Sequence, residues 1–438
     1  MILFLKNYFN FKAHNTNFKI EILGGLTTFF TMAYVLIVNP KILSVAGLPY
    51  EAALTATVII AFTGTFLMSV YAKLPFAVAP YIGENAFIAF TVVKLLGFSW
   101  QQAAGAVMVA GFLLIILTFL NIRPWLAGSI PASLKLSFTA GIGLFLTVIG
   151  LSESGIILKG EGDVLLRAGN FNSPETLLAI LGTVLIAILT AKKVKAAILT
   201  GILITAVLGI IAGISELPKE FLSIPPDPGP VFLEADLKGI FEISFLPVLI
   251  TIFIMAFLDT MGTLSALAIK TGMVNKKGQI PGIKKPMLCD GVATFTAGSL
   301  GSASAGVYLE SATGIAAGAK TGFASLITAF LFLTALFISP VISAIPGFAY
   351  GPALIVIGAF MFSSATGIDF NDFTESFPAF IVIVLMAFSY NIGTGMSAGF
   401  LIYPIIKIAS GKIKEISIGM WILASLALLF FIFYPYNY

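Results

Sequence analysis

The chain is expected to fold as an all-α polytopic membrane protein, and three observations lead there. Of its 438 residues, 58% are hydrophobic and 10% charged, and mean hydropathy is +1.04, whereas soluble domains average about 25% charged residues. Apolar runs of membrane-spanning length recur from one end of the chain to the other. Lys and Arg gather in a few short connections, as they do in loops on one side of a membrane. No separate soluble domain interrupts the pattern: the longest polar connections, Leu151 to Pro174 and Ser215 to Ile243, hold only about two dozen residues each.

With about 20 apolar residues per crossing, the first half divides into segments near 22–39, 52–71, 75–93, 100–120, 130–151, 175–190 and 196–214. The second half gives 244–268, 287–299, 306–319, 322–340, 348–366, 376–390 and 395–409, followed by a terminal run at 417–434. This makes fourteen transmembrane segments and one extra terminal helix that either crosses or lies along the surface. The pieces around Pro80 and Gly306 are too interrupted to be ordinary spans.

Charge orients the set. Lys6, Lys12 and Lys19 precede the first span, Lys192, Lys193 and Lys195 separate the sixth from the seventh, and Lys270, Lys276, Lys277, Lys284 and Lys285 separate the eighth from the ninth. All three groups fall on one side, which the positive-inside rule makes cytoplasmic, with the N-terminus. The acid-rich connection Ser215 to Ile243 then falls outside. The net charge of +4 reflects this loop topology and gives no reason to expect nucleic acid as a partner. A single cysteine, Cys289, excludes an internal disulfide, and a single histidine, His14, excludes a His-based zinc site, so no metal or cofactor is expected. Met1 to Leu5 is too short an apolar run for a signal-peptide core before Lys6.

An internal repeat underlies the count. At an offset of 223 residues, Thr28-Phe-Phe-Thr-Met-Ala-Tyr34 aligns with Thr251-Ile-Phe-Ile-Met-Ala-Phe257 at four identities in seven positions, and Gly83 falls on Gly306. Seven spans per half is an odd number, so repeat two (about 244–409) must enter the membrane inverted relative to repeat one (about 20–214). Inverted repeats with interrupted helices at matching positions point to a transporter's midplane site. The first break, Ala77-Val-Ala-Pro-Tyr-Ile-Gly-Glu-Asn-Ala86, places Pro80 and Gly83 mid-span, and its counterpart, Gly298 to Gly306, is built of Gly, Ser and Ala with one Leu. Non-helical backbone at membrane depth survives only where protein or a water-lined cavity satisfies it. Both stretches, in the third and tenth helices, are therefore expected to be extended and to face each other. Asn85 and Glu310 are expected to open the half-helices that follow, with the N-terminal N–H groups aimed at a shared cavity.

Two acids stand out. Asp259 lies inside the run Ile250 to Leu264, and Glu310 follows the small-residue stretch. An acid at the centre of a membrane helix costs about 2.5–3.5 kcal/mol on insertion scales, which makes it a candidate substrate, ion or proton site. Asp290, beside Cys289, is read as a supporting or packing acid, and Asn39-Pro40 as the cap that ends the first span.

Four stretches resemble a known family. Glu21-Ile-Leu-Gly-Gly-Leu-Thr-Thr-Phe-Phe-Thr-Met-Ala-Tyr-Val-Leu-Ile-Val-Asn-Pro40 is similar to the N-terminal signature of the adenine/guanine/hypoxanthine (azaguanine-like) permeases, a branch of the nucleobase transporter superfamily that includes uracil and xanthine permeases. Gly83-Glu-Asn-Ala-Phe87, Leu258-Asp-Thr-Met-Gly-Thr263 and Tyr308-Leu-Glu-Ser-Ala-Thr-Gly-Ile-Ala-Ala-Gly318 follow in the family's order. The resemblance implies fourteen helices in two inverted repeats, with helices one to four and eight to eleven forming a core domain and the remainder a gate. It implies purine binding by Glu310 and Asp259, with Asn85 in the same pocket and Ala86 and Ser311 as neighbours, and it allows a homodimer through the gate. Glu84 departs from the pattern, because an apolar residue often precedes that Asn.

The chemistry agrees. A neutral purine offers N–H donors and ring-nitrogen acceptors; carboxylates accept from the first, and the Asn amide and half-helix N-termini donate to the second. A carboxyl in low dielectric takes up a proton more readily than one in water. Asp259, Glu310 and Glu84 are thus candidates for proton coupling, with H⁺ expected ahead of Na⁺. Glu310 is the first choice for the purine's N–H edge, and Asp259 either shares that role or holds the proton. The expected function is secondary active import of purine nucleobases across the cytoplasmic membrane by proton symport. The alternatives are a transporter of uracil or xanthine and an anion transporter of the same architecture, whose ligand Asp259 and Glu310 would repel. An intramembrane hydrolase is excluded by the lack of a Gly-x-Ser-x-Gly, His-Glu-x-x-His or paired-Asp protease motif.

Overall fold

The computed structural model describes residues 2–123, 129–160, 166–270 and 282–434, without the side chains of 261, 262, 265, 266, 269 and 270. Lys276 and Lys277 of the basic cluster lie outside the described residues. Among those described, nine helices are long and apolar enough to cross a membrane: Phe18–Val45, Tyr50–Ala72, Trp100–Phe119, Ala132–Glu153, Pro174–Ala191, Ile243–Thr260, Gly322–Ser343, Gly347–Gly367 and Ile392–Ala409. Ala197–Ile211, Phe373–Phe388 and the terminal Ile418–Phe433 are apolar but shorter. The chain divides into two compact units, one made of Met1–Pro124, Phe221–Phe241 and Ile252–Pro340, the other of Trp125–Glu220, Glu242–Thr251 and Val341–Tyr438.

In the first unit the opening span is longer than expected, and a turn at Ala33 and Tyr34 divides it into the helices Phe18–Met32 and Val35–Val45. Asn39 and Pro40 therefore lie inside a helix and do not end one. Pro40 withdraws a single backbone donor, which membrane helices tolerate when neighbours compensate, and the Asn39 amide reaches Thr57 Oγ1 on the next helix at 2.9 Å. Helix starts carry their own caps: Asn17 accepts from the Ile20 amide, and Ser99 and Gln102 form a reciprocal capping box.

Both interrupted segments contain extended backbone. Val78–Pro80 and Ala305–Val307 pair antiparallel, with Val78 opposite Val307, Ala79 opposite Gly306 and Pro80 opposite Ala305. The half-helix after the first strand starts at Ile82, so Asn85 and Gly83 lie within it and neither opens it. The reason is local: Tyr81 is the last extended residue, and Gly83 follows it without breaking the turn. Glu310 does stand at the N-cap of the Ser311–Ala316 half-helix. On the other side of the second break, the Lys284–Ser299 helix runs further than the Gly/Ser/Ala composition suggested. Two π-helical stretches, Met68–Ala72 and Phe87–Leu95, gave no signal in the sequence.

Small residues let the helices of this unit approach closely. A β-carbon on Gly298 would fall 2.3 Å from the Met108 backbone nitrogen, and one on Gly111 would fall 2.4 Å from that of Phe295. These reciprocal contacts bind Trp100–Phe119 to Lys284–Ser299. The polar segment 221–241 also belongs to this unit: Thr55 donates to the Pro226 carbonyl at 2.9 Å, and the Leu233 and Asp236 amides donate to the Ser299 and Gln101 carbonyls.

The second unit repeats the close approach between Ala132–Glu153 and Gly347–Phe362, where Gly143 faces the Gly358 carbonyl and Gly150 that of Gly351. Lys407, almost fully buried, pairs with Glu375 at 2.6 Å and Glu415 at 2.5 Å. Asp372 is held below the usual carboxylate range by the hydrogen bond from Lys412, supported by Thr374. A short hairpin, Ile157–Lys159 with Leu166–Ala168, occupies part of the polar connection 151–174.

Gly298→Val should destabilise the protein by about 1–3 kcal/mol through overpacking against Met108. Leu113→Ala, at a position 40% exposed on the same helix pair, should change stability by no more than about 0.5 kcal/mol. Thermal unfolding of both variants purified in detergent measures the difference.

Candidate functional site

The site is built on the two crossing strands of the first unit. A three-residue ribbon leaves most of its backbone groups to other partners, and side chains from adjacent helices supply them. Thr65 Oγ1 accepts from the Val78 amide and donates to the Val78 carbonyl, both at 2.9 Å. Thr294 Oγ1 does the same for Ala305, at 3.3 and 2.9 Å. Tyr81 N donates to the Ser304 carbonyl and Tyr308 N to that of Ala77, each at 3.0 Å. The Tyr308 hydroxyl donates to the Pro80 carbonyl, and the Tyr81 and Tyr308 rings stack at 5.9 Å. Gly306 is required here, because a β-carbon would lie 2.2 Å from the Tyr81 hydroxyl and 2.6 Å from Asp290 Oδ1.

Asn85, fully buried, clamps this crossing. Its Oδ1 accepts from Ala303 N at 2.9 Å and Ser302 Oγ at 3.3 Å, and its Nδ2 donates to the Tyr81 carbonyl at 3.2 Å. Ser311 Oγ accepts from Ala77 N at 2.9 Å, and Ala86 is buried. Three of the residues expected at the pocket thus hold or pack the scaffold in this structure.

The acids fall into three settings. Glu310 occupies the N-cap position of its half-helix without a side-chain capping bond, and its Oε1 accepts from the Tyr34 hydroxyl at 2.6 Å. Tyr34 stands at the turn that divides the opening span, so that break presents the phenol to the acid. Glu84 is 3% exposed; its Oε2 accepts from the Ser304 hydroxyl, whereas Oε1 receives no protein donor.

Asp290 forms the third. Arg123 Nη2 donates to its Oδ2 at 2.8 Å and Nη1 to the Met287 carbonyl at 3.2 Å, with both charged side chains fully buried. Thr260 Oγ1 lies 2.7 Å from both Asp290 oxygens. The residue after Asp259 is therefore fixed by a buried ion pair. Sequence reasoning singled out Asp290 but missed Arg123, Tyr34 and Tyr81. Arg123 carried a usable signal, as a lone arginine next to a long apolar run with a buried acid still to be matched.

A family model described as "Permease family" matches residues 19–402. The chain belongs to that permease family. This permease is 37% identical to the adenine permease AdeP of Escherichia coli over 98% of its own length and 96% of that protein's. It is 38% identical to the guanine/hypoxanthine permease PbuG of Bacillus subtilis over 98% and 100%. The resemblance seen in the four motifs thus extends over nearly the whole chain. In fold, this permease is similar to the transmembrane domain of a cyanobacterial bicarbonate transporter, BicA, with a TM-score of 0.63 at 18% identity, over 88% of this chain and 98% of that one. A second likeness is to the murine anion transporter Slc26a9, with a TM-score of 0.65 at 11% identity over 94% and 72%. This permease is a multi-pass membrane transporter and not an enzyme.

Arg123→Met should cost about 3–5 kcal/mol, because Asp290 is left buried and unpaired. Arg123→Met combined with Asp290→Leu should recover most of that loss. Thermal unfolding of the purified single and double variants checks both statements.

Proposed function

We propose that this permease imports purine nucleobases, of the adenine, guanine and hypoxanthine class, across the cytoplasmic membrane by proton symport. The observation that carries the reading is Glu310: a carboxyl at the start of a half-helix, held by Tyr34, beside paired strands whose backbone is supported by Thr65, Thr294 and Ser311. A carboxylate set in this way accepts from purine N–H groups. Asp259 supplies the second acid. Asn85, Ala86 and Ser311 shape the site by fixing the strands and the start of each half-helix, and any direct contact with the base is made from those positions. Two purine permeases at 37% and 38% identity along nearly the whole chain support the substrate class.

The architecture proposed with it is fourteen spans in two inverted repeats of seven, with the N-terminus cytoplasmic, and a homodimer as the assembly. The paired strands and the matching use of Thr65 and Thr294 support the repeat. The first compact unit corresponds to the core and the second to the gate. A second reading, anion transport, draws on the fold likeness to BicA and Slc26a9. The acids argue against it, because Asp259, Glu84 and Glu310 would repel an anion.

Uptake of labelled adenine, hypoxanthine, guanine, uracil and sulfate into proteoliposomes, with and without an inward proton gradient, tests the proposal. Purine uptake should rise as external pH falls, and sulfate should not enter. Glu310→Gln should lower purine affinity about 10- to 100-fold, the equivalent of one charge-assisted hydrogen bond. Absence of purine uptake, or uptake indifferent to Glu310→Gln, defeats the reading.

A further inference from the structure

Residues 2–19 form more than a lead-in to the opening span. Ile2–Tyr8 is a helix of seven residues, and Asn10 and Asn15 then take left-handed backbone angles, φ 51° and 49°, which asparagine tolerates better than most side chains. The chain folds into a hook closed by its own backbone: Phe11 N donates to the Lys6 carbonyl at 3.0 Å and Thr16 N to that of Phe11 at 3.1 Å. With Asn10 turned between them, Phe9 and Phe11 are both buried, and each ring meets that of Phe323 at 5.6 Å. Polar contacts dock the hook as well. The Tyr8 hydroxyl donates to the Val70 carbonyl at 2.7 Å, Lys73 Nζ to the Tyr8 carbonyl at 3.0 Å, and Lys320 Nζ to the Asn15 carbonyl at 3.3 Å. The hook therefore rests on the end of the Tyr50–Ala72 span and on the link between the Ser311–Ala316 half-helix and the Gly322–Ala335 helix.

What the hook leaves outward has two chemistries. Ile2, Leu3 and Phe4 are 64%, 72% and 66% exposed, three consecutive large apolar residues at its tip. Lys6 and Asn7, in the next turn of that helix, line a shallow cleft of about 460 Å³ together with Asn10, Lys12 and Ala13. Lys19, at the start of the Phe18–Met32 helix, is exposed too. The only acid among the first 21 residues is Glu21, which is buried and accepts from Thr16 and from the Lys320 and Thr321 amides. No carboxylate of the segment therefore offsets the lysines of the cleft. An apolar tip flanked by lysines and placed directly before a membrane span matches the headgroup layer of a bilayer containing anionic lipid. The hydrocarbon-facing surface leads up to it, since Leu23 and Phe30 on the span that follows are also exposed.

We propose that residues 2–19 form an interfacial anchor for anionic phospholipid, with the lipid phosphate held in the cleft by Lys6 and Lys12 and the acyl chains against Ile2, Leu3 and Phe4. The Asn7 and Asn10 amides donate to the remaining phosphate oxygens. A zwitterionic headgroup is disfavoured, because it brings its own cation against the lysines. The bound lipid is joined through Phe323 and Lys320 to the link that follows the half-helix of Glu310, so the lipid composition of the leaflet bears on the stability of this end of the unit.

The test uses the full chain. In delipidated protein purified in detergent, phosphatidylglycerol should raise the unfolding temperature, whereas phosphatidylcholine or inorganic phosphate at the same concentration should not. Lys6→Gln combined with Lys12→Gln should raise the phosphatidylglycerol concentration needed for half of the effect about 25-fold, at about fivefold per lysine. Equal stabilisation by phosphatidylcholine removes the charge selectivity, equal stabilisation by inorganic phosphate assigns the cleft to a free anion, and a double variant that responds like the parent removes the lysines; each overturns the proposal. A second measurement locates the tip. A nitroxide on Phe4→Cys, in bilayers containing phosphatidylglycerol, should be relaxed more by oxygen than by a water-soluble nickel chelate, with the parent, whose one cysteine is buried, as the labelling control. The reverse order places the tip in water, leaves it to a soluble protein partner and overturns the proposal.

Discussion

Backbone hydrogen bonding inside a bilayer is the constraint on which the rest of this structure depends. The hydrocarbon offers no water, so every N–H and C=O that leaves a helix must find a partner in protein or in a water-lined cavity. Two segments leave helices at the site, and they satisfy one another through only three residues each. The shortfall is made up by hydroxyls: Thr65 and Thr294 each serve both backbone groups of one strand residue, Ser311 takes the Ala77 amide, and Tyr308 takes the carbonyl of Pro80. Polar residues in the surrounding helices are thus explained before any substrate is considered. What remains unexplained by this accounting is a short list of acids.

Charge follows a related rule. A buried ion pair adds little stability by itself, but removing one member is severe because the other stays desolvated. Arg123 and Asp290 obey it, and in doing so they hold Thr260, next to Asp259. Glu21 is fully buried near the start of the opening helix and is also satisfied, accepting from Thr16 and from the Lys320 and Thr321 amides ahead of the Gly322–Ala335 helix. Against this background of matched acids, Glu84 stands apart, because its buried Oε1 meets no protein donor.

Much of the fold was legible because it rests on composition and spacing. Apolar runs located the spans, and Pro80 and Gly306 marked both extended breaks. Asp259 and Glu310 stood out because acids are rare in such runs. The misses share a cause, which is that they are decided by partners far away in the chain. Ala33 and Tyr34 carry no turn signal, yet the helix breaks there and Tyr34 meets Glu310, 276 residues further on. Arg123 and Asp290 are 167 residues apart. Asn85 carries the family motif in plain view, but its role depends on Ser302 and Ala303, which no local pattern brings to it. Asn39-Pro40 misled in the opposite direction, since a strong local stop signal was overridden by packing against Thr57.

The ribbon of Val78–Pro80 and Ala305–Val307 also dictates an order of assembly. Its halves are separated by about 228 residues, and a chain emerges from the ribosome with its N-terminal end first. The first strand is therefore made and inserted long before its partner exists. Throughout that interval the first strand lacks its partner, and Ala305–Val307 is what closes it. A ribosome stalled between the two strands would leave a product that resembles a finished membrane protein in its hydropathy and yet cannot be sealed. Recognition of such a product by the cell would turn on the exposed strand, since its helices would look ordinary.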